Sequence, residues 1–434
     1  MGWFHSLPAD KPRCGSGRAV VKSLSAEQGL TLTMSFTQLT LSSATHTNLA
    51  SPEIPTRLLG LLTGGGGKDP ADQTKYGLFF QALARHYQMV GIHDVSLRGP
   101  DYVWSVLMNF HPNKRLWKER HYKNLYAFTK RSRNAVRVQN HLRGQVDLTV
   151  QLGAKFDARW SSTGVPGVIY TDYTAWLSAN NAYHLRSPLK GKRLAKWLDY
   201  ETNAYRRAAH IFTRSEFVRQ SILQHYGVRA ERVSVVGGGV NFDPFPELPK
   251  RDPGQSPALL FIGSEFKRKG GDLLLRAFEI ARRRVPNARL RLLTRDPIPA
   301  GFSLENVEVL PFLWDRARIC QLYAEADIFV LPSRQETWGD VILEAAAYAL
   351  PSISVAREAM GEVIRDGETG LLAPPEDVDA LAAAIITLLE DVDLRLRLGR
   401  AARTYVQSDF TWEKVVERMN PVIKLIMTNE EERL

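Results

Sequence analysis

Short apolar runs alternate with longer amphipathic patterns along most of this chain. The first run, Arg57–Thr63, precedes four glycines, and a helical pattern over Gln73–Tyr87 follows them. The same order restarts at Leu259–Ile262, where a basic loop leads into a helical pattern over Asp272–Arg284. A strand, a glycine-containing loop and a helix open a Rossmann-like unit, so the pattern predicts an α/β fold.

Further runs continue this alternation. The predicted strands are Val146–Leu152, Val165–Tyr170, His210–Ser215, Val233–Val236, Leu290–Leu293, Val307–Leu310, Ile328–Leu331 and Ile353–Val355. The predicted helices are Trp197–Ala209, Glu216–Tyr226, Arg318–Ala326, Asp340–Leu350, Val378–Glu390, Leu394–Val406 and Phe410–Met427. Ser215 is a favourable N-cap for the helix that starts after it.

Length and local composition divide the chain. At 434 residues it exceeds one typical core, which indicates two domains. A proline-rich polar segment, 241–252, separates the two series of runs, and we predict Rossmann-like domains over 52–248 and 249–409. Residues 1–51 are rich in Ser, Thr and Gly and are predicted to be a poorly ordered extension, whereas 410–434 predict a closing helix.

Overall composition narrows the functional class. Hydrophobic residues make up 44% and charged residues 24% of the chain, as in soluble globular proteins. Cys14 and Cys320 give neither a disulfide framework nor a metal-type spacing, which favours a reducing cytoplasm. No apolar run is long enough for a membrane span, and no signal peptide is evident. The net charge of +11 favours an anionic partner.

The stretch Pro332–Pro351 carries two glutamates, Glu336 and Glu344, in a predicted loop and helix start, with Gly339 between them. Backbone N–H groups at the positive end of a helix suit a phosphate. Carboxylates accept hydrogen bonds from sugar hydroxyls. The stretch therefore predicts a site for a diphosphate that carries a sugar on each side.

The loop after Leu259–Ile262 is a second candidate phosphate site. It contains Arg268 and Lys269, and Gly270 and Gly271 follow at the predicted helix start. Arg can bind two phosphate oxygens at once, and Lys supplies a compact charge. The alternative is a solvated run of charge without a ligand.

Together these segments resemble the retaining GT-B glycosyltransferases of family 4. The resemblance covers residues 208–391 and includes HIFTRSEFVRQSILQHYGV, VVGGGVNFDPF, FIGSEFKRKGGDLLLRAF, ADIFVLPS and EVIRDGETGLLAPPEDVDALAAAI, in the family's order. It implies the GT-B fold, with two Rossmann-like domains facing a central cleft. It also implies an acceptor domain over 52–248, a donor domain over 249–409 and a helix over 410–434 that crosses back to the first domain.

The resemblance further implies roles in the donor domain. Glu336 is expected beside the donor sugar as a catalytic candidate, and Glu344 is expected at the ribose hydroxyls. Backbone N–H groups of Thr337, Trp338 and Gly339 are expected to face the sugar and phosphate, with the Trp338 side chain shaping the sugar pocket. The loop of Pro311 and Phe312 is expected against the nucleotide base.

Three positions depart from the family's pattern. Ser264 stands where a basic residue often follows the strand, so Arg268 is expected to take over that role. The run Arg357–Glu362 keeps only part of a segment with paired glycines. No His follows Val165–Tyr170; Asp172 is the expected occupant, and it either binds an acceptor hydroxyl, as a second catalytic candidate, or caps the next helix.

The glycine run Gly64–Gly67 follows the first predicted strand, and Gly66 and Gly67 are candidate donor contacts. A Walker loop is excluded, because Asp69 follows Lys68 and no glycine stands at Leu62. A dinucleotide fingerprint and a flexible turn without ligand stay open. We favour a loop at the mouth of a two-domain cleft.

Asn113–Arg143 is the most basic stretch, with interleaved aromatic residues on a probable helix. This composition suits an anionic membrane surface or a nucleic acid, and the alternative is a solvated face. The resemblance favours lipid, and no nucleic-acid module is visible. We therefore expect a cytoplasmic protein, peripheral at the inner face of a membrane, with no nucleic-acid partner.

These expectations combine into retaining transfer of a hexose from a nucleotide diphosphate sugar to an unknown hydroxyl acceptor, either lipid-linked or a growing polysaccharide. Arg268, Lys269 and fixed N–H dipoles are expected to stabilise the leaving diphosphate. No Asp-x-Asp motif stands where a metal-dependent transferase needs one, so neither a metal nor a cofactor is expected. A sugar-nucleotide epimerase and a non-catalytic protein that binds nucleotide sugars or anionic lipid are the alternatives.

Overall fold

The computed structural model describes residues 56–64, 70–161, 164–181, 189–249, 256–311, 313 and 315–431. The predicted extension over 1–51 lies outside the described residues. The same holds for three candidate donor contacts, Gly66, Gly67 and Phe312.

The N-terminal domain is a parallel sheet with surrounding helices. Its strands within the described residues are β1 (Arg57–Leu62), β2 (Gln88–Asp94), β3 (Leu148–Leu152), β4 (Gly167–Thr171), β5 (His210–Thr213) and β6 (Val233–Val235). Its helices there are α1 (Pro70–His86), α2 (Gly99–Met108), α3 (Lys114–Tyr122), α4 (Leu125–His141), α5 (Ala175–Asn180), α6 (Gly191–Arg207) and α7 (Glu216–Tyr226). The strands pair in the order β2-β1-β3-β4-β5-β6.

The C-terminal domain repeats this architecture. Its strands within the described residues are β7 (Ala258–Ile262), β8 (Arg289–Thr294), β9 (Val307–Pro311), β10 (Ile328–Leu331), β11 (Ser352–Val355) and β12 (Gly370–Ala373). Its helices there are α8 (Gly271–Arg284), α9 (Arg316–Ala324), α10 (Asp340–Ala347), α11 (Met360–Val363), α12 (Val378–Glu390), α13 (Val392–Asp409) and α14 (Trp412–Glu431). The strands pair in parallel in the order β12-β11-β10-β7-β8-β9. Two parallel six-stranded sheets confirm the predicted α/β fold.

Both faces of the first sheet are covered, which explains its continuous apolar strands. In β1, Leu58 and Leu62 pack in one core cluster with residues of α1 and α14. Leu59 and Leu61 point to the other face and pack with residues of α4. Since successive strand side chains alternate between faces, a strand covered on both sides must be apolar throughout.

Two strands were not predicted from the sequence, and both lie at sheet edges. In β2, every residue is at least partly exposed, and Gly91 interrupts its short apolar pattern. In β12, only four residues pair, and two of them are partly exposed. The basic stretch 113–143 also differs from the expected single helix. It forms two helices, α3 and α4, and Asn124 between them caps α4 by accepting a hydrogen bond from Ala127 N.

The last helix, α14, packs against the N-terminal domain. Trp412 is 5% exposed and lies 5.5 Å from the Phe79 ring and 6.4 Å from the Tyr170 ring. A Cβ at Gly239 would lie 2.4 Å from the Trp412 indole, so only glycine fits beneath it. The helix therefore joins the C-terminal part of the chain to the core around β4 and α1.

Trp412→Ala tests this packing. Loss of a buried Trp leaves a cavity, so the free energy of unfolding should fall by about 3–5 kcal/mol, measured by urea denaturation. Leu425→Ala on the same helix is the control, because Leu425 is 60% exposed and its loss should cost less than about 0.5 kcal/mol. Equal unfolding midpoints for the two variants would contradict the assignment of α14 to the core.

Candidate active site

A cleft of ≈ 850 Å³ lies between the two domains. Its lining comes from segments that follow strands of both sheets, including Thr63 after β1, Asp172 after β4, Glu265 after β7, Arg295 after β8 and Thr337 after β10. Ligands of open parallel sheets bind beyond the carboxyl ends of the strands. The cleft is therefore the place where this architecture positions functional side chains.

Two loops of the C-terminal domain, 263–270 and 332–339, form one unit beside the cleft. Gly270 has a φ of +76°, and a Cβ there would lie 2.0 Å from the carbonyl oxygen of Pro332. Arg334 N donates to Arg268 O at 2.9 Å. Both the positive φ and the close backbone approach require glycine at position 270.

Arg268 holds these two loops together. Its side chain is 3% exposed. Nε donates to Glu265 at 2.6 Å, and Nη1 donates to the Gln335 carbonyl at 2.8 Å. In this structure the buried guanidinium is committed to the loops, and the expectation that Arg268 binds a diphosphate stays a prediction.

Lys269 and Glu336, two of the candidate residues, lie together. Lys269 Nζ forms an ion pair with Glu336 Oε2, and the two side chains are 12% and 9% exposed. Thr337 N donates to Glu336 Oε1 at 3.3 Å, and Thr337 itself lines the cleft. The pair thus places one positive and one negative group next to the cleft wall.

Glu344 lies on α10 and is 6% exposed. Arg316 Nη1 donates to Oε1 at 2.9 Å, and Asn241 Nδ2 donates to the same oxygen at 3.2 Å. Tyr323 Oη donates to Oε2 at 3.1 Å. In this structure both carboxylate oxygens are in use, and Arg316, whose side chain is 36% exposed, is the most solvent-accessible of the partners described here.

The residues before α10 have separate roles. Gly339 has a φ of +80° and is the N-cap of α10. Trp338 is 2% exposed, its Nε1 donates to Gly238 O at 3.2 Å, and its ring packs edge-on against Phe410 at 5.4 Å. The indole is buried in the contact with the N-terminal domain in this structure, and its expected place in a sugar pocket stays a prediction. The backbone role of Thr337, Trp338 and Gly339 stays a prediction.

Arg214 connects the domains beneath the cleft. Its side chain is 1% exposed, and Nη1 pairs with Asp340 of α10 at 2.9 Å. The guanidinium also lies over the rings of Tyr170 and Trp412, at 5.5 and 5.6 Å. One buried cation thereby links the start of α10, the end of β4 and the start of α14.

Asp172 lies in the cleft wall directly after β4. The alternative that it caps the next helix is wrong, because Thr174 is the N-cap of α5 and accepts a hydrogen bond from Leu177 N at 3.2 Å. The role at an acceptor hydroxyl stays a prediction.

Arg295 is a cleft residue that the sequence reasoning missed. It is exposed, it lines the cleft, and its backbone N donates to Ser264 O at 3.3 Å. The residue directly follows β8, and this position at the carboxyl end of a parallel strand was the available signal. Arg295 places a cation beside Ser264, the position that lacks the expected basic residue.

Two other expectations concern the periphery of this site. Pro311 is exposed at the end of the edge strand β9, while its predicted neighbour Phe312 lies outside the described residues, as do Gly66 and Gly67. Gly64 is described: its N–H donates to Ser96 Oγ at 2.8 Å, and it lines the cleft. Among the described residues no three His, Cys, Asp or Glu side chains come together as a metal site would need.

Comparison with known families agrees with this architecture. The model of "Glycosyltransferase Family 4" matches residues 79–244, and that of "Glycosyl transferases group 1" matches residues 256–391. The chain belongs to the GT-B glycosyltransferases of the family 4 type. Each match falls within one of the two domains, which the cleft separates.

Individual relatives are distant. Glycogen synthase from Mycobacterium tuberculosis is 30% identical over 228 residues, which cover 50% of this chain and 53% of that protein. The chain thus spans about half the length of the curated relatives it matches. Among solved structures, sucrose-phosphate synthase from Thermosynechococcus elongatus has a TM-score of 0.60 at 18% identity, covering 86% of this chain and 100% of that one. Alr3699/HepE from Anabaena, solved in complex with UDP and glucose, has a TM-score of 0.57 at 15% identity, covering 85% and 99%.

Gly270→Ala tests the close contact between the loops 263–270 and 332–339. The added Cβ would meet the Pro332 carbonyl in a backbone conformation that disfavours alanine, so the free energy of unfolding should fall by about 2 kcal/mol or more in urea denaturation. Gly361→Ala is the matched control, since a Cβ at that position would meet nothing within 4 Å and its φ is ordinary. A Gly270→Ala variant as stable as this control would show that the loops are not in tight contact.

Proposed function

We propose that this protein is a retaining glycosyltransferase that moves a hexose from a nucleoside diphosphate sugar to a hydroxyl acceptor without a metal ion. The observation that carries the proposal is the placement of Glu336 and Glu344 on either side of the start of α10, with Lys269 paired to Glu336. A donor has a sugar and a ribose at opposite ends of its diphosphate. Two carboxylates flanking a helix start match that arrangement.

The leaving diphosphate gains negative charge as the bond to the anomeric carbon breaks. Lys269 and Arg295 are cations of the C-terminal domain beside the cleft that can stabilise it, and the N–H groups at the start of α10 add fixed dipoles. The electron pair of the broken bond passes to the phosphate oxygen. Arg295 takes the role that the sequence assigned to Arg268.

The acceptor oxygen attacks the face that the diphosphate leaves. Glu336 is held by Lys269 and by Thr337 N, so it serves to orient and stabilise the donor sugar. The leaving phosphate oxygen, on the same face as the incoming hydroxyl, takes the acceptor's proton. Asp172, on the opposite wall, orients the acceptor hydroxyl.

The ribose of the donor binds at Glu344. The two ribose hydroxyls donate hydrogen bonds to the Glu344 carboxylate and replace Arg316. The Arg316 guanidinium is the most exposed of the Glu344 partners described above. Asn241 Oδ1 is buried and has no hydrogen-bond partner within the described part of the chain, so a ribose hydroxyl can also donate to it. The structure of Alr3699/HepE with UDP and glucose lends support, because that fold neighbour holds this kind of ligand.

A donor panel tests the proposal. The purified protein is incubated with UDP-, GDP- and ADP-sugars, and nucleoside diphosphate release is measured with and without EDTA. We expect release from one donor, unaffected by EDTA, and lowered at least about 100-fold in Glu336→Gln, because the group beside the reacting carbon is altered. Release that EDTA abolishes, or that Glu336→Gln leaves unchanged, would contradict the mechanism.

Arg295→Ala separates the two candidate phosphate cations. Loss of a charge-assisted contact should weaken donor affinity about tenfold in calorimetry. Arg283→Ala is the matched control, because the Arg283 side chain is 73% exposed on α8 and pairs only with Glu279 in the contacts described here. Arg268→Ala should instead lower stability, as expected for a buried residue that joins two loops.

We also propose that the acceptor is met at an anionic membrane surface, formed by α2 and α3 rather than by the whole stretch 113–143. Most of the large exposed apolar residues among those described lie here: Tyr102, Val103, Trp104, Leu107, Met108, Phe110 and Leu116. Lys114 and Lys118 are exposed on the adjoining helix. In α4, by contrast, Lys130 pairs with Asp101, and Arg131 is 1% exposed.

The same two helices line the cleft. Tyr102 and Val106 of α2, together with Lys114, Trp117 and Lys118 of α3, form part of its wall. Apolar side chains beside lysines suit insertion between anionic headgroups. An amphiphilic acceptor can therefore enter the cleft while its tail stays in the lipid. No helix of the described part is long and apolar enough to cross a membrane.

Vesicle sedimentation tests this surface. Phosphatidylglycerol–phosphatidylcholine vesicles should bind the protein, whereas Trp104→Ser/Phe110→Ser should reduce binding at least about tenfold, because apolar area is lost from the interface. Leu304→Ser is the control, since Leu304 is a 46% exposed apolar residue of the other domain. Equal binding to pure phosphatidylcholine, or no effect of the double substitution, would contradict the assignment of α2 and α3 to a membrane surface.

A further inference from the structure

Glu358 lies in a backbone conformation that glutamate rarely adopts. It follows β11 in a tight turn, in which Arg357 N donates to Val355 O and Met360 N donates to Arg357 O. Its φ is +51°, in the left-handed region that favours glycine. A non-glycine residue persists in such a conformation only where its surroundings fix it, and such residues cluster at functional sites.

The hydrogen bonds of the Glu358 side chain show what fixes this backbone conformation. Glu358 Oε2 accepts a hydrogen bond from Glu336 N at 2.7 Å. Glu358 Oε1 accepts from Tyr173 Oη at 3.2 Å and from Asn181 Nδ2 at 2.9 Å. One carboxylate therefore binds the backbone of the loop that carries Glu336 and two side chains of the N-terminal domain.

Neighbouring contacts reinforce this junction. Gln335 Nε2 donates to Tyr173 Oη at 3.3 Å. Four residues after Glu358, the Glu362 carboxylate accepts hydrogen bonds from Glu216 N at 2.7 Å and Phe217 N at 3.1 Å, at the start of α7. The segment 358–362 thus contacts the N-terminal domain at two points, and only the first also contacts the loop of Glu336.

We propose that Glu358 is a positioning residue that couples domain closure to the placement of Glu336. When the domains meet, Tyr173 and Asn181 orient the Glu358 carboxylate, which in turn fixes the Glu336 backbone beside the donor sugar. When they separate, the loop loses that support. This inference rests on the proposed glycosyltransferase function and adds the means by which the acceptor domain controls the geometry of the donor site.

The ionisation of Glu358 agrees with this role. A carboxylate offers two acceptor oxygens to three donors, whereas a protonated carboxyl must donate from one of them. Burial, together with the Glu336 charge, raises the pKa of Glu358. Lys269 pairs with Glu336, and Tyr173 and Asn181 face Glu358 from the N-terminal domain. Protonation of Glu358 as the pH falls is therefore expected to weaken this junction.

Three substitutions separate positioning from structure. Glu358→Gly relieves the backbone strain but removes the carboxylate, so its thermal unfolding temperature should equal or exceed that of the wild type while kcat falls about tenfold or more. The donor KM should change by less than about twofold, since the ribose and phosphate contacts remain. Glu358→Gln keeps an acceptor oxygen for Glu336 N but turns a donor towards Tyr173 and Asn181, so its kcat should lie between those of the wild type and Glu358→Gly. Tyr173→Phe combined with Glu358→Gly should give less than the product of the two single effects.

Asn306→Gly is the matched control. Asn306 is exposed, has a φ of +59° and lies in the turn before β9, so its replacement also puts glycine at a left-handed position, without altering kcat. A Glu358→Gly variant with wild-type kcat, or one whose stability and kcat fall together, would overturn the proposal.

A second measurement does not depend on turnover. Hydrogen–deuterium exchange at 175–181 and 335–339 should become faster in Glu358→Gly and stay unchanged in Asn306→Gly. Unchanged exchange would overturn the coupling even if no donor is found. Faster exchange in a protein that releases no nucleoside diphosphate would instead leave the coupling standing and refute the proposed function.

Discussion

The buried guanidinium of Arg214 joins the parts of the chain that make the cleft. A buried charge is stable only when it is paired, and Arg214 obtains its counter-charge from Asp340 at the start of α10. Its flat face lies against Tyr170 at the end of β4 and Trp412 at the start of α14. Since removal of the Asp340 charge would leave a buried guanidinium without this counter-charge, the pair favours the arrangement in which the two domains and the last helix meet. The two candidate glutamates flank that same helix start, so their placement depends on this interaction.

The donor side of the cleft is built from contacts that leave little freedom. Gly270 brings the loop after β7 against Pro332 so closely that no side chain fits, and buried Arg268 bonds to both loops. The Lys269–Glu336 ion pair forms where the loops meet. Groups held in place before the donor binds need little reorganisation when charge develops on the diphosphate, which is the condition for strong electrostatic stabilisation. The tight packing of these loops is therefore also what would fix the charged groups for the proposed chemistry.

The sequence was sufficient for the fold, but not for the directions of side chains. Buried central strands such as β7 and β10 are continuous apolar runs, whereas the edge strands β2 and β12 lack that signal because they are only partly covered. Arg268 was assigned to a ligand because its charge is visible in the sequence and its burial is not. Trp338 points away from the cleft because its N–H donates to Gly238, which is remote in sequence. Arg295 and Glu358 were missed since their places at the carboxyl ends of β8 and β11 identify a location without identifying a partner.

The two sides of the cleft differ in a way that fits the ligand proposed for each. A nucleotide sugar presents the same ribose and diphosphate in every cycle, so a fixed and buried set of contacts serves it. The acceptor side instead retains exposed apolar residues on α2 next to the lysines of α3, although burying them would stabilise an isolated protein. Those helices also form a wall of the cleft, so the surface that would meet lipid is continuous with the site that would meet the acceptor hydroxyl. Tyr173 and Asn181 of this domain hold Glu358, so the proposed alignment of the Glu336 loop depends on how the two domains meet.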